Sequence, residues 1–323
     1  MIMKKTLKNL LAPVLFLAVV LGIGFLPKEA SLTAQAYPGS VLSSSIKQTG
    51  QTKTSLSISW SPSSNTAKYR VYIRDYSDYT SDYQLAGETT ATSFTFNNLK
   101  ASTEYNVRIQ SVDAEGTANY GIGAYDLFTL PGSISGFKQQ QWWYWIDTID
   151  LSWDKLSGVD GYEVTLYNSK GKRVKRVKVS GYSSSASFRK VSKQVYTAKI
   201  RAYKKINGKT YYSSTAKTYC ITQARVRSVK LSNKKLTIKW NKVPGATGYD
   251  IYVSTKKNSG YKKVKSVSAK ASSCTITKFN RKKLTKKRYY VYVETKKKVG
   301  RKTYKSNGLY AWQSNSSRYI YLN

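Results

Sequence analysis

Apolar and polar residues alternate in short runs along most of the chain, and the runs recur in a fixed order. Three of them end on tryptophan: Leu56-Ser-Ile58-Ser-Trp60, Ile149-Asp-Leu151-Ser-Trp153 and Leu236-Thr-Ile238-Lys-Trp240. A period of two is that of a strand with one buried face. Nine residues after each Trp, a Tyr opens a second run: Tyr69-Arg-Val71-Tyr-Ile73, Tyr162-Glu-Val164-Thr-Leu166 and Tyr249-Asp-Ile251-Tyr-Val253. A third run in each copy also begins with Tyr: Tyr105-Asn-Val107-Arg-Ile109, Tyr196-Thr-Ala198-Lys-Ile200 and Tyr289-Tyr-Val291-Tyr-Val293. The Trp-to-Trp intervals of 93 and 87 residues set the size of the repeating unit. About seven short strands in ~90 residues, without helical periodicity, predict an all-β fold built from two-sheet sandwiches.

These residues resemble the fibronectin type III family, whose pattern has a core Trp on strand B, a Tyr on strand C and a Leu-x5-Tyr-x-Val-x-Val corner on strand F. Leu99, six residues before Tyr105, matches the corner well, whereas Phe279 and Leu284 compete for the Leu position in the third copy. The resemblance covers residues 38 to 315. It implies three tandem fibronectin type III-like (immunoglobulin-like) β-sandwiches, and a spacing, adhesion or accessory role that names no ligand. The expected domains are residues 37–130, 131–223 and 224–323. Pro131-Gly132 marks the first boundary and Gln223-Ala224 the second. Asn207-Gly208 is a two-residue hairpin signal for the F–G turn of the second domain. In the C-terminal tail, Tyr319-Ile-Tyr321-Leu offers an additional edge strand.

The N-terminus changes the picture from fold to compartment. Lys4, Lys5 and Lys8 precede an uncharged apolar run from Leu10 to Leu26, and Ala34-Gln35-Ala36 follows as a small-x-small cleavage site. Together these are the parts of a secretory signal peptide, taken as residues 1–36. Pro13, Gly22 and Gly24 weaken the rival reading of a membrane anchor. A secreted location, with non-covalent association with a cell wall, is therefore expected. Two cysteines, Cys220 and Cys274, are too few for a disulfide framework and suggest a bacterial exporter, and the long signal fits a Gram-positive one. Whether the two cysteines pair stays open at the level of sequence. Cys274, in an alternating Ser-Cys-Thr-Ile segment, reads as a small core residue.

Charge is the second feature that adds to the picture. The chain carries 55 Lys and Arg against 16 Asp and Glu, a formal +39. Residues 37–130 hold 7 basic and 8 acidic side chains, residues 131–223 hold 17 and 5, and residues 224–323 hold 27 and 2. Solubility needs no such gradient, so a polyanionic partner is expected. In the third domain the A–B loop holds Lys234 and Lys235. The C–C′ loop holds Lys256, Lys257, Lys262, Lys263 and Lys265, and the E–F loop holds Arg281, Lys282, Lys283, Lys286, Lys287 and Arg288. Alternating strand direction sends all three loops to the pole where the chain leaves the domain. This predicts an anion-binding tip on a monomeric, extended string of domains. Cell-wall teichoic acid, acidic lipid surface and glycosaminoglycan are the candidate partners. Nucleic acid is less favoured, because the basic loops carry no recognisable nucleic-acid motif.

Catalytic chemistry has little to draw on. The chain has no His, and no nucleophile elbow, phosphate loop or metal-type Cys pair occurs. Neither an enzyme nor a cofactor is expected. Asp75, Asp78 and Asp82 suit a hard cation by residue type, but their spacing fits no known loop, so a solvated polar loop is the favoured reading over a metal site. The run Trp142-Trp143-Tyr144-Trp145 lies in an A–B connection five residues longer than its counterpart. It reads either as an aromatic joint facing the third domain or as a glycan-stacking surface. Basic loops on both sides of that joint predict repulsion, with the aromatic run alone to hold it.

Overall fold

The computed structural model describes residues 36–78, 80–140, 147–257 and 259–306. Among them, secondary structure is almost entirely strand. One 3-10 turn spans Ser43–Ser45, and no α-helix occurs among the described residues. The first sandwich comprises β1 (Lys47–Gln51), β2 (Leu56–Ser59), β3 (Lys68–Asp75), β4 (Gln84–Thr89), β5 (Ser93–Phe96), β6 (Glu104–Val112) and β7 (Ile122–Phe128). Its sheets have the orders β1-β2-β5 and β4-β3-β6-β7.

The second comprises β8 (Lys138–Gln140), β9 (Ile149–Ser152), β10 (Gly161–Tyr167), β11 (Arg173–Ser180), β12 (Ser185–Phe188), β13 (Val195–Ile206), β14 (Lys209–Tyr212) and β15 (Ala216–Ile221). Its sheets are β8-β9-β12 and β11-β10-β13, with β14 and β15 both on β13. The third comprises β16 (Val226–Ser232), β17 (Lys235–Trp240), β18 (Gly248–Ser254), β19 (Lys262–Ser268), β20 (Ser273–Ile276), β21 (Lys278–Phe279), β22 (Lys282–Lys283), β23 (Tyr290–Val299) and β24 (Lys302–Lys305). Its sheets are β16-β17-β20 and β19-β18-β23-β24, with β21 and β22 as a separate hairpin. The chain therefore folds as β-sandwiches in tandem, the fold class expected.

Each sandwich closes over the same aromatic pair. The ring centroids of Trp60 and Tyr69 lie 5.3 Å apart, those of Trp153 and Tyr162 5.1 Å, and those of Trp240 and Tyr249 5.5 Å, all tilted or edge-on. Such contacts add to the large apolar area each ring buries. Each Tyr hydroxyl then accepts a backbone N–H six residues earlier: from Ser63 at 3.1 Å, Leu156 at 2.7 Å and Val243 at 2.8 Å. The spacing of nine thus fixes a ring contact and ties down the intervening turn at once. Around the pair, Leu56, Ile58, Val71, Val107 and Ile109 fill the first core, and corresponding residues fill the others.

The tyrosine opening the third run acts similarly. Tyr105 accepts the Lys100 N–H at 2.8 Å, and Tyr289 accepts that of Thr285 at 3.1 Å. Leu284, just before Thr285, is fully buried, whereas Phe279 is only half-buried, so Leu284 takes the corner position. Asn207 and Gly208 turn β13 into β14 at positive φ (48° and 76°), with Ile206 paired to Lys209, as the sequence signal predicts. Cys220 and Cys274 are buried and unpaired in different sandwiches, and burial raises the pKa of both thiols.

Neighbouring sandwiches touch through named contacts. Ser157 Oγ donates to Ser102 O at 2.7 Å, Asn207 Nδ2 donates to Gln48 O at 3.1 Å, and the Lys204 ammonium sits 3.4 Å from the Phe128 ring centroid. At the next joint the Val195 N–H donates to Pro244 O at 2.9 Å, and Tyr219 packs edge-on against Tyr304 at 5.1 Å. Val195 and Ile221, from the second sandwich, complete the core of the third. Gly245 passes so close that a Cβ there would meet the Ser169 and Val195 side chains at 2.9 and 3.1 Å, at a φ of +82°. This corrects the expectation that only the Trp142–Trp145 segment could hold this joint. That segment, like the Tyr319–Leu322 tail, lies outside the described residues.

The expected effect of breaking one aromatic pair is local. Trp240→Ala should cost about 3–5 kcal/mol. Tyr249→Phe, which strands the Val243 N–H, should cost about 1–3 kcal/mol. Hydrogen exchange should show the loss confined to the third sandwich; equal loss in the first would contradict independent cores.

Candidate anion-binding surface of the third sandwich

Strand register brings three connections of the third sandwich to one end. In β16–β17 the last pair is Ser232–Lys235, and Leu236 pairs onward with Ile276 at the end of β20. In the facing sheet, Val253 pairs with Lys262 and Ser254 with Tyr290, at the end of β18 and the start of β23. The β16–β17 turn, the β18–β19 connection and the β20–β23 connection therefore share a pole.

Lys234 sits in the two-residue turn beside Asn233, both at positive φ (56° and 49°), and Lys235 opens β17. Lys256 and Lys257 lie in the β18–β19 connection. Lys262, Lys263 and Lys265 are strand residues of β19 and not loop residues; Lys265 pairs with Ile251, in mid-sheet, and so stands back from the pole. Arg281 occupies the tip of the β21–β22 hairpin at φ 62°, beside Asn280 at 50°. Lys282 and Lys283 form β22, and Lys286, Lys287 and Arg288 lead into β23.

Between β19 and this hairpin lies an open groove of about 550 Å³, lined by Lys262, Lys263, Val264, Lys278, Phe279, Asn280 and Arg281. Lys278 had not been singled out from sequence. Asn280-Arg281 is no standard hairpin dipeptide, and only their positive φ in the structure folds Lys278 back against Lys283. Two lysines directly opposite on paired strands repel. Neither makes an ion pair among the described residues.

The acids of this sandwich are held at mid-sheet, and of the groove's cations only Lys263 reaches one among the described residues. Glu294 bonds Lys305 at 3.1 Å. Asp250 bonds Lys296 at 2.5 Å and Lys263 at 3.7 Å, and accepts the Ser266 hydroxyl at 2.6 Å. Burial opposes the Asp250 charge, but Lys296, Ser266 and Lys263 outweigh it and hold the carboxyl below its usual range.

In the first sandwich, Asp75 accepts from the backbone and hydroxyl of Ser77 and pairs with Lys100 at 3.0 Å. Asp78 caps Thr80. These two carboxylates serve local turns. No group of three or more metal-ligating side chains occurs among the described residues, and no helix there is long and apolar enough to cross a membrane.

Residues 43–122 match the family model of the fibronectin type III domain. Such domains are generally non-catalytic modules for binding or spacing, and are commonly extracellular. Among solved structures, the chain is similar to the FN1–FN3 domains of chicken CNTN1, at 20% identity over 80% of this chain and 92% of that one, with a TM-score of 0.36. A two-domain fibronectin type III segment of chicken tenascin aligns at 21% identity over 58% of this chain and 100% of that one, with a TM-score of 0.34. No curated protein matches the chain at a significant level.

The Asp250 cluster sets an acid limit. A carboxyl whose folded pKa is depressed stabilises the fold above its unfolded pKa of about 3.9, and that stability is lost as pH falls through the folded value. Thermal melts resolved by domain should show the third sandwich weakening below about pH 4. Asp250→Asn should be less stable at neutral pH and flatter across that window. An unchanged acid limb would count against the pairing.

Proposed function

We propose that this chain is an exported, non-catalytic binding and spacing protein whose third sandwich docks on an anionic polymer through the pole described above. All three sandwiches are read as fibronectin type III-like, divided near residues 130 and 223. The sequence supports export through the apolar run Leu10–Leu26 and the Ala34-Gln35-Ala36 site, and it supports a non-catalytic role by holding no His among 323 residues.

The observation that carries the reading is a contrast between two like-charged pairs. Lys296 and Lys305 face each other across β23 and β24, and each has a carboxylate, on Asp250 and Glu294. Lys278 and Lys283 face each other across β21 and β22, and the groove that Lys278 lines with Lys262, Lys263 and Arg281 has no carboxylate in its lining, its one acid contact being Lys263 to Asp250 at 3.7 Å. Bringing cations together without compensation costs stability, and an external polyanion relieves that cost. A linear polymer with regularly spaced phosphate or sulfate groups, such as teichoic acid or a glycosaminoglycan, suits a row of lysines better than a single small anion does.

The test uses the chain from residue 37 onward. Replacing Arg281, Lys282, Lys283, Lys286 and Lys287 with Gln should lower affinity for teichoic acid or heparin and flatten its salt dependence. At DNA-like charge density each lost contact removes about 0.9 from the log–log slope. Gln at Lys297, Lys298, Arg301 and Lys302 removes nearly as much charge from the opposite end and should matter far less. Lys296 is spared because it holds Asp250. Equal loss from both sets would reduce the pole to diffuse attraction, and no loss from either would remove it as a site.

A further inference from the structure

A second cationic concavity lies on the outer face of the large sheet of the second sandwich. Glu163 on β10 projects outward, with its side chain only 8% exposed. Arg201, its partner across β13, donates through Nε and Nη2 at 3.1 and 3.0 Å, and Arg176 on β11 approaches at 3.5 Å. Arg173 and Lys199 complete a pocket of about 340 Å³ with Thr165 and Tyr167. The Arg201 guanidinium stacks 3.8 Å from the Tyr212 ring centroid, and the Lys199 ammonium lies 4.9 Å from that of Tyr167.

Four cations thus line one pocket with a single carboxylate, which two of them, Arg176 and Arg201, contact. A pairing network that only stabilised the sheet would need one partner for that acid. Here Glu163 orients two guanidinium forks and leaves three positive charges in excess. Each fork carries five N–H donors, and those not spent on Glu163 remain for an oxyanion. The ring contacts of Arg201 with Tyr212 and of Lys199 with Tyr167 restrain these two cations, which reduces the ordering cost of binding. Among the described residues neither Arg173 nor Lys199 makes an ion pair. The volume lies at the small end of ligand sites, about 300–1,000 Å³. It admits one oxyanion together with the unit that bears it.

We propose that this pocket binds the tetrahedral oxyanion of a phosphate or sulfate ester, as a site separate from the pole of the third sandwich. The chemistry is shared by phosphodiester polymers and sulfated glycans, and the probes distinguish the two. They are a short glycerol-phosphate oligomer, a sulfated oligosaccharide, inorganic phosphate and inorganic sulfate. Binding is measured by calorimetry on the chain from residue 37 that already carries the five pole substitutions, so the two sites are read separately.

One oligomer per chain should still bind. Arg173→Gln with Lys199→Gln, neither of which touches Glu163, should weaken it about tenfold or more, as should Arg176→Gln with Arg201 left in place. An unchanged melting temperature separates lost binding from lost fold. If Arg176→Gln lowers that temperature, the Arg173 and Lys199 pair decides alone. Loss of all binding in the pole-substituted chain would overturn this site and leave the pole. A loss no greater than that from Gln at Lys297 and Lys298 would overturn it as well. Undiminished polymer binding after the pole substitutions, abolished by the sheet changes, would instead support this pocket and remove the pole.

Discussion

The sandwiches depend on a tryptophan and a tyrosine nine residues apart whose rings meet at a steep angle, edge-on or tilted, between two sheets. The contact alone would leave the chain between them free to wander. The tyrosine hydroxyl removes that freedom by accepting a backbone N–H at the start of the intervening turn, at 2.7–3.1 Å in every copy. A buried donor without a partner is costly, so the turn is fixed wherever the ring is. Once strands β2 and β3, β9 and β10, and β17 and β18 are clamped in this way, alternation places their remaining apolar side chains in the core. The opposite side chains are then free to carry charge.

That freedom is used differently in the two basic sandwiches. In the third, acids sit at mid-sheet, where Asp250 pairs with Lys263 and Lys296 and Glu294 with Lys305, while Lys278 and Lys283 of the β21–β22 hairpin make no ion pair among the described residues. In the second, the cations lie on the sheet face itself, around a single buried Glu163. Charge summed along the sequence ranks the third sandwich far above the second. The joint between the two is apolar and hydrogen-bonded, through Tyr219, Tyr304, Val195 and Pro244, so neither surface has to be sacrificed to hold it.

What could be read from the sequence was what repeats locally. The period of two, the Trp–Tyr spacing and the Asn207-Gly208 turn each reflect a constraint within about ten residues. Leu284 could not be separated from Phe279 by spacing alone, since both pack on the third core and only the β21–β22 hairpin leaves Phe279 at its edge and Leu284 inside. Lys262, Lys263 and Lys265 read as loop because polar strands at a sheet edge lack a clear apolar partner face. The Glu163 pocket was hidden for a different reason. Its members come from β10, β11 and β13, with Arg201 38 residues from Glu163, and only cross-strand register brings them together.

Both proposals require that cations on two defined surfaces, and not net charge, engage an anionic polymer. Hydrogen exchange of the chain from residue 37, with and without saturating glycerol-phosphate polymer, addresses it most directly. The account predicts slowed exchange in the β20–β23 connection, including the β21–β22 hairpin, and along β11 and β13. The first sandwich should be unchanged. Protection spread evenly over all lysine-bearing strands, or centred on the first sandwich, would contradict it.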